Sequence, residues 1–348
     1  MHRTQIGVSL LAAVAVACSD GERANGGPLG TADSRDAGPG GAAAPVRDAA
    51  RTNLDARAST DAGARDAASS RPDAAPLGDG PSSTPADGAT SAEPSGQCTD
   101  GRWVPTAPQA PRVFEAPYEG LEDSCGPALA RRLCEIASTG YRAISYTQAR
   151  QVVFRMVDDE GGTVRGVYDG LLHEPDHSEL NIEHTWPQSL GATGDAKSDM
   201  HHLFATRADF NSARSNLPLG KVARHDWPAT LVADPSCTPT GHDQGCFSMK
   251  GRDAEDVEVF EPRDAHKGNA ARAIFYFAIR WGQGCSLKPL RDFDTRHPST
   301  TELVLKEWNR LDPPDPHERD RNARVQEVEQ VRNPFIDHPE LVERISFQ

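Results

Sequence analysis

The aromatic residues are confined to one part of the chain, and this confinement limits where a folded domain can form. All 11 Phe, 5 Trp and 5 Tyr lie after Gln97. Residues 19–96 contain 19 Ala, 12 Gly and 8 Pro among 78 positions, with only three Leu and one Val as large aliphatic residues. Such a segment buries too little apolar surface to offset its conformational entropy. We therefore predict a disordered Ala/Gly/Pro/Asp-rich linker over residues 19–96 and one folded domain over residues 97–348.

Residues 1–18 have the composition of an export signal. A short basic start at His2 and Arg3 is followed by an apolar run over residues 6–17 and then by Cys18. The run is too short to span a bilayer comfortably, but its polarity order is typical of a secretory signal. Two outcomes remain open: ordinary cleavage after Ala17, or a bacterial lipoprotein signal that places a lipid on Cys18. The prediction is an exported protein that is extracellular, periplasmic or anchored by lipid to the outer membrane.

The cysteine count fits an oxidising compartment. Of the seven Cys, lipidation of Cys18 would leave six, and six can form three disulfides. The sequence does not choose among the connectivities, although Cys237 and Cys246 are close enough for a local bridge. Because the six show no CxxC spacing, we interpret them as structural disulfides.

The charge excludes binding to nucleic acid by bulk attraction. The formal net charge is −14, and residues 97–348 alone carry 39 acidic and 29 basic residues, a net −10. A protein this acidic needs a local basic patch or a metal ion to hold a polyanion. Residues 181–224 are the exception, with four acidic and five basic residues.

The periodicity of the folded part predicts more helix than strand. Apolar residues recur at helical spacing in four segments, and the third is apolar on nearly every side, which predicts a buried helix. These segments are residues 126–138, 146–156, 269–281 and 301–311. With few strand signals elsewhere, the expected fold class is α+β.

One segment of the folded part concentrates polar and ionisable side chains within short secondary-structure patterns. The predicted order is strand, turn, strand and helix, at residues 180–186, 191–195, 199–205 and 207–215. Glu183 and His184 lie on the first strand, and Asn211 and Arg214 share one face of the helix. Adjacent strand residues point to opposite faces, so both Glu183 and His184 can reach one site only at a bulge or a strand end.

These residue types suit metal-assisted hydrolysis of a phosphodiester. A hard divalent cation prefers oxygen ligands and keeps several waters, so the carboxylate of Glu183 and the amide of Asn211 suffice if phosphate supplies the rest. The imidazole of His184 can then take a proton from an attacking water. With an unperturbed pKa, His184 predicts loss of activity below about pH 6.5.

Four sequence blocks resemble the bacterial endonuclease I family of secreted, non-specific nucleases. They are EHTWPQS at residues 183–189 with SDMHHL at 198–203, NSARSNLPLG at 211–220, FEP at 260–262 with KG at 267–268 and ARA at 271–273, and RNPFIDHPELV at 332–342. The blocks keep the family's order over most of residues 125–345, which makes the match specific.

The resemblance implies a ββα-metal (His-Me finger) active site that cuts DNA, and also RNA, without sequence preference. It implies one Mg²⁺ ion, for which Mn²⁺ or Ca²⁺ substitute, and 5′-phosphate products. By position, Glu183 and Asn211 correspond to the metal ligands and His184 to the general base. An arginine that some relatives carry between the two strands has no counterpart here, since Lys197 is the only cation in residues 185–198.

Several alternatives remain open. Arg214 is a catalytic candidate that contacts substrate phosphate, or it forms a salt bridge within the fold. The adjacent His201 and His202 invite a zinc site but fit structural hydrogen bonding better, because adjacent strand residues point apart. Asp199 fits orientation of the hairpin better than metal binding. The whole protein, expected to be a monomer, could instead be a metal phosphodiesterase with another substrate or a disulfide-stapled surface binding module.

Overall fold

The structure, a computed structural model, describes residues 96–108, 113–225 and 248–348. These residues belong to the second of two units into which the chain divides, Thr84–Gln348. The predicted export signal with Cys18, nearly all of the predicted linker and the local bridge between Cys237 and Cys246 lie outside the described residues. No helix within the described ranges is long and apolar enough to cross a membrane.

The α-helices account for most of the regular structure in these ranges. They are α1 (Gly126–Ser138), α2 (Tyr146–Val152), α3 (Ala208–Arg214), α4 (Asp264–Arg280), α5 (Pro298–Leu311), α6 (Pro316–Glu329) and α7 (Pro334–Asp337). Helix α1 matches its predicted bounds. Helix α2 continues as a π-helical turn at Val153–Val157, so the helical pattern over residues 146–156 is also confirmed.

The strands form small antiparallel sheets. They are β1 (Gly96–Thr99), β2 (Arg102–Pro105), β3 (Val164–Arg165), β4 (Leu172–His173), β5 (Leu180–His184), β6 (Leu203–Arg207), β7 (Arg224–His225), β8 (Met249–Arg252) and β9 (Glu258–Glu261). The first six pair in sequence as three hairpins, and β7, β8 and β9 form a three-stranded sheet. The mixture of helices and small antiparallel sheets confirms the predicted α+β class.

Helix α4 is the centre of the larger hydrophobic core. Every residue from Ala270 to Ile279 is buried. Trp186 stacks on Phe277 with ring centroids 4.7 Å apart, and Phe275 packs on Phe347 at 4.4 Å. The prediction of a helix that is apolar on nearly every side is therefore confirmed, although the helix begins five residues earlier than expected, at Asp264.

One face of the β5–β6 hairpin packs on a hydrophobic cluster, and the other face carries Glu183. Ile182 pairs with Ala205 and His184 with Leu203, and the apolar members of these pairs join a second hydrophobic cluster with Val153 and Val157. Because side chains alternate along a strand, Glu183 points to the opposite face, where its partner across the hairpin is Phe204. The register is regular throughout, and β5 ends at His184, so the strand end rather than a bulge lets both residues reach one site.

The second strand of this hairpin differs from the prediction. We expected a strand over residues 199–205, but Met200–His202 forms a 3₁₀ turn and β6 begins at Leu203. The cause is Asp199, whose Oδ1 accepts a hydrogen bond from the backbone N–H of His201 at 3.0 Å. Such local capping competes with strand pairing.

Disulfides and buried ion pairs connect distant parts of the described chain. Cys98 pairs with Cys125, and Cys134 pairs with Cys285 across 151 residues. Arg272 on α4 donates through Nε to Glu318 on α6 at 2.8 Å, with both side chains buried. Four of the six predicted structural cysteines are therefore paired.

Candidate active site

A polar cavity of about 500 Å³ opens where β5 ends beside α3. Its lining includes three of the four residues that the sequence singled out, namely Glu183, His184 and Asn211, together with Tyr146, Asn181, Gln188, Ser189, Ser215 and Asn216. A second cavity of similar size, about 510 Å³, lies around His266 and Arg263. Two of its three acidic groups are engaged by its own arginines, Asp158 by Arg321 and Glu160 by Arg165, and the third, Asp315, caps α6. The chemistry expected from the sequence therefore lies in the first cavity, which we call the candidate pocket.

Glu183 is a buried carboxylate held by a buried cation. Its side chain is 1% exposed, and its Oε1 lies 3.1 Å from Nε of Arg214, whose side chain is 0% exposed. The pKa of Glu183 is raised, because burial outweighs the charge of Arg214 and the nearby Tyr168 hydroxyl, which both act in the opposite direction. The guanidinium thus favours the ionised form of Glu183, the form that a cation would bind.

Arg214 has no free face toward the candidate pocket. Its terminal nitrogens donate to the backbone oxygens of Ser215 at 2.9 Å and Thr185 at 2.7 Å, in addition to its ion pair with Glu183. Of the two roles left open for Arg214, this geometry supports the salt bridge within the fold.

Asn211 is held in position across the hairpin. Its Nδ2 donates to the backbone oxygen of Ile182 at 3.0 Å, which ties α3 to β5. This bond spans 29 residues, so it differs from the local turn bonding that Asn side chains often make. With Nδ2 engaged, Oδ1 is the amide atom left for a ligand, on the same pocket wall as Glu183.

His184 is oriented by a backbone carbonyl. Its Nε2 lies 3.0 Å from the oxygen of Lys197, and because a carbonyl only accepts, Nε2 carries the ring proton. Nδ1 is therefore the basic nitrogen, and Nε2 of Gln188 donates to it at 3.4 Å. The ring of Tyr146 lies beside the imidazole, with centroids 5.4 Å apart.

The environment of His184 keeps its imidazole neutral. Burial lowers the pKa of His184 to about 3. The nearby His202 and the charges of Lys197 and Arg214 lower this pKa further, whereas the hydrogen bond to the backbone carbonyl of Lys197 raises it. The expectation of an unperturbed pKa is therefore wrong, because it left burial out of account. His184 is therefore neutral well below pH 6.5.

The 3₁₀ turn at Met200–His202, just before β6, has a structural role near His184. His201 donates through Nε2 to the oxygen of Val331 at 3.0 Å, and His202 donates to the oxygen of Ala196 at 2.7 Å. Asp199 accepts hydrogen bonds from Tyr276 and Trp281, both at 2.9 Å. No cluster of three or more His, Cys, Asp or Glu side chains in the described ranges is arranged to hold a metal. His201 and His202 thus make structural hydrogen bonds, and Asp199 orients the turn.

The sequence reasoning did not single out Tyr146, Tyr168 or Gln188. Gln188 lies within the EHTWPQS block, so its position beside His184 had a signal in the sequence. Tyr146 and Tyr168 come from separate segments, and only the fold brings them to His184 and Glu183.

A buried carboxylate, a fixed amide and an oriented neutral imidazole at the end of an antiparallel hairpin form the kind of site expected of a metal-assisted hydrolase. Comparison with known proteins identifies the family. The model of the endonuclease I family matches residues 144–340, and the chain belongs to this family.

Named relatives agree with this assignment. The chain is 31% identical over 257 residues to an extracellular ribonuclease of Bacillus subtilis (strain 168), covering 69% of this chain and 81% of the relative. It is 30% identical over 250 residues to an extracellular ribonuclease of Bacillus amyloliquefaciens, covering 66% of this chain and 78% of the relative. It is also 26% identical over 141 residues to an extracellular deoxyribonuclease of Aeromonas hydrophila, covering 40% of this chain and 50% of the relative.

Proposed function

We propose that this protein is an exported, Mg²⁺-dependent endonuclease that hydrolyses DNA and RNA without sequence preference and leaves 5′-phosphate ends. One observation carries the proposal: Glu183, Asn211 and His184 line a single pocket, and the imidazole of His184 is held in the tautomer that leaves Nδ1 basic. Relatives named as ribonucleases and as a deoxyribonuclease support both substrates.

The donor atoms around the candidate pocket fit a hard cation. The carboxylate of Glu183 and Oδ1 of Asn211 are oxygen ligands, and both side chains belong to residues that line the candidate pocket. Mg²⁺ is commonly bound by one or two carboxylates and keeps several waters and substrate oxygens as its other ligands. When bound, the ion would neutralise charge that develops on the phosphoryl and leaving oxygens.

The protein side chains would perform the remaining steps. Nδ1 of His184 takes a proton from a water, whose oxygen attacks phosphorus as the bond to the 3′ oxygen breaks. The phosphate stays on the 5′ side, and the 3′ oxygen leaves as a hydroxyl after gaining a proton. The carbonyl of Lys197 holds the ring of His184 in place, and Arg214 acts as a positioning residue whose charge favours the ionised form of Glu183.

The compartment and the domain plan belong to the same proposal. Relatives named as extracellular support export, and disulfides persist in oxidising compartments. We propose residues 1–18 as the export signal, with lipid on Cys18 as one outcome, residues 19–96 as a linker and residues 97–348 as a monomeric nuclease domain.

A nicking assay tests the proposed function. Purified protein should nick supercoiled plasmid and degrade RNA in the presence of Mg²⁺, and EDTA should abolish both activities. His184→Ala should lower turnover by roughly 10²–10⁴-fold, as expected for loss of a general base. His297→Ala is the matched control, because His297 lies at the surface beside Glu255, outside the candidate pocket. Plasmid and RNA left intact by the wild-type chain, or cleavage that resists EDTA, would contradict the proposal.

A further inference from the structure

A second groove lies beside the candidate pocket, along α2. Tyr146, the first residue of α2, lines the candidate pocket. The next residue, Thr147, lines a groove of about 390 Å³ together with Arg150, Gln151 and residues 175–178 of the loop before β5. Arg150 donates to the backbone oxygen of Leu180 at 2.9 Å, at the start of the strand that ends in His184. The two cavities therefore lie next to each other beside β5, and together they are called the path.

Two cations, one lining the groove and one beside Tyr146, lack a carboxylate partner in the described ranges. The guanidinium of Arg150 lies 5.1 Å from the ring centre of Phe154, and Nζ of Lys197 lies 4.8 Å from the ring centre of Tyr146. Most cations elsewhere in this acidic domain face acids, as Arg165 faces Glu160 at 2.8 Å. The contacts that hold Arg150 and Lys197 leave hydrogen-bond donors available on both side chains.

The acidic side chains along the same path already have partners. Glu183 in the candidate pocket pairs with Arg214, and Asp176 in the groove pairs with Arg155 at 2.5 Å. The path therefore combines neutral polar groups and paired charges with Arg150, and Lys197 lies beside it over the ring of Tyr146. These two residues and Tyr146, which lies between them, are named here the α2 ridge.

We propose that the α2 ridge binds the sugar–phosphate backbone of a nucleic-acid strand next to the phosphate being cut. This inference rests on the proposed function and names the surface that holds its substrate. Tyr146 and Arg150 are four residues apart on one helix, so they share a face and lie about 6 Å apart along its axis. A path longer than one pocket, with separated cations, suits a chain with repeated negative charge, whereas a mononucleotide would occupy the candidate pocket alone. Contacts to phosphates carry no sequence information, in agreement with sequence-independent cleavage.

Salt-dependent binding tests the inference. Binding of a fluorescent single-stranded DNA oligonucleotide is measured against salt concentration for the His184→Ala protein, which should cut too slowly to consume the oligonucleotide during the measurement. Adding Arg150→Met and Lys197→Met together should weaken binding at least tenfold at low salt. Because each phosphate contact on single strands contributes about 0.7 to the slope of log K against log salt, the slope should fall by about 1.4. Lys197→Met keeps the backbone carbonyl that orients His184.

Two further variants separate charge from folding. Arg150→Lys should keep the salt slope, since it retains the charge. Arg131→Met removes an exposed cation on α1 and should leave both binding and slope unchanged. In the cleaving background, Arg150→Met should raise KM far more than it lowers kcat.

The outcomes distinguish the inference from the proposed function. A wild-type protein that nicks plasmid, combined with an unchanged slope in the double variant, overturns the α2 ridge alone. If Arg131→Met lowers the slope as much as the double variant does, the inference is also overturned, because the effect would then be one of total charge and not of the α2 ridge. A wild-type protein that binds the oligonucleotide through the α2 ridge but fails to cut would overturn the proposed function and leave the inference standing.

Discussion

At the scale of single residues, the pair formed by Glu183 and Arg214 decides what the site can bind. Both side chains are fully buried, and burial alone raises the pKa of Glu183. The charge of Arg214 opposes this effect and favours the ionised form of Glu183, the residue that we propose as a metal ligand. The sequence identified both residues from their blocks, but it did not reveal their burial, which follows from packing that involves distant segments.

Removal of Arg214 should therefore destabilise the protein. Arg214→Met leaves an uncompensated charge in the interior, which typically reduces the free energy of unfolding by about 3–5 kcal/mol. The double variant Glu183→Gln with Arg214→Met carries no buried charge and should recover much of this loss in urea unfolding. Arg102→Met is the control, since its ion pair with Asp123 is well exposed and should contribute less than about 1 kcal/mol. If Arg214→Met keeps the stability of wild type and only raises KM, then Arg214 contacts the substrate phosphate and does not stabilise the fold.

At the scale of secondary-structure elements, the spacing of apolar residues predicted those helices whose buried face is apolar. The apolar periodicity gave the bounds of α1 and the burial of α4, because both depend on the spacing of apolar side chains. Helix α6 was missed because its buried residues include Glu318, Arg321 and Glu329, which a search for apolar periodicity does not register. Its partners lie on α4 and near β6, so only the tertiary structure explains their burial.

Glu329 illustrates the role of α6 in supporting the site. At the end of this helix, its Oε1 accepts the backbone N–H of Met200 at 3.0 Å, in the turn that follows Asp199. Burial and the neighbouring Asp199 raise the pKa of Glu329 well above its ordinary value of 4.5. Glu329 therefore stays protonated over a wider pH range in the folded state than in the unfolded state.

Glutamine should therefore replace Glu329 at no loss of stability. A group with a raised pKa in the folded state stabilises the fold fully below its unfolded pKa, and this contribution is lost as the pH rises toward the folded pKa. Glu329→Gln keeps the acceptor for Met200 and removes the ionisation, so its melting temperature relative to wild type should increase with pH above 4.5. Glu329→Ala leaves the N–H of Met200 unpaired and should cost about 1–3 kcal/mol. Equal destabilisation by both substitutions would show that Glu329 is ionised in the fold.

At the scale of the whole molecule, the composition predicted a domain that begins near residue 97 and uses disulfides. The bridge between Cys134 and Cys285 closes a loop of 151 residues and links α1 to the segment after α4. The sequence could not choose this pairing, because it depends on where α1 and α4 meet in the fold. The composition also gave no sign that several histidines are fully buried in the hydrophobic and ion-paired interior.

These buried histidines should make the fold sensitive to acid. Burial lowers the pKa of His201 to about 4, and it also lowers the pKa values of His202 and His266. Below about pH 6.5 the unfolded chain binds protons that the folded chain excludes, so stability decreases as the pH falls from 6.5 toward 4. The lowering of the His201 pKa from 6.5 to about 4 corresponds to about 3 kcal/mol in the free energy of unfolding. This is a large part of the typical stability of a domain.

Urea unfolding at a series of pH values should therefore show a steep decrease in the free energy of unfolding between pH 6.5 and 4. His201→Gln keeps a donor for the oxygen of Val331 but cannot be protonated, so its stability should vary less with pH than that of wild type. His177→Gln changes an exposed histidine and should follow the wild-type curve. Equal pH dependence in His201→Gln and wild type would mean that His201 does not drive acid unfolding. Because the pKa of His184 is lowered to about 3 and that of His201 to about 4, we expect activity in acid to be lost together with the folded structure rather than before it.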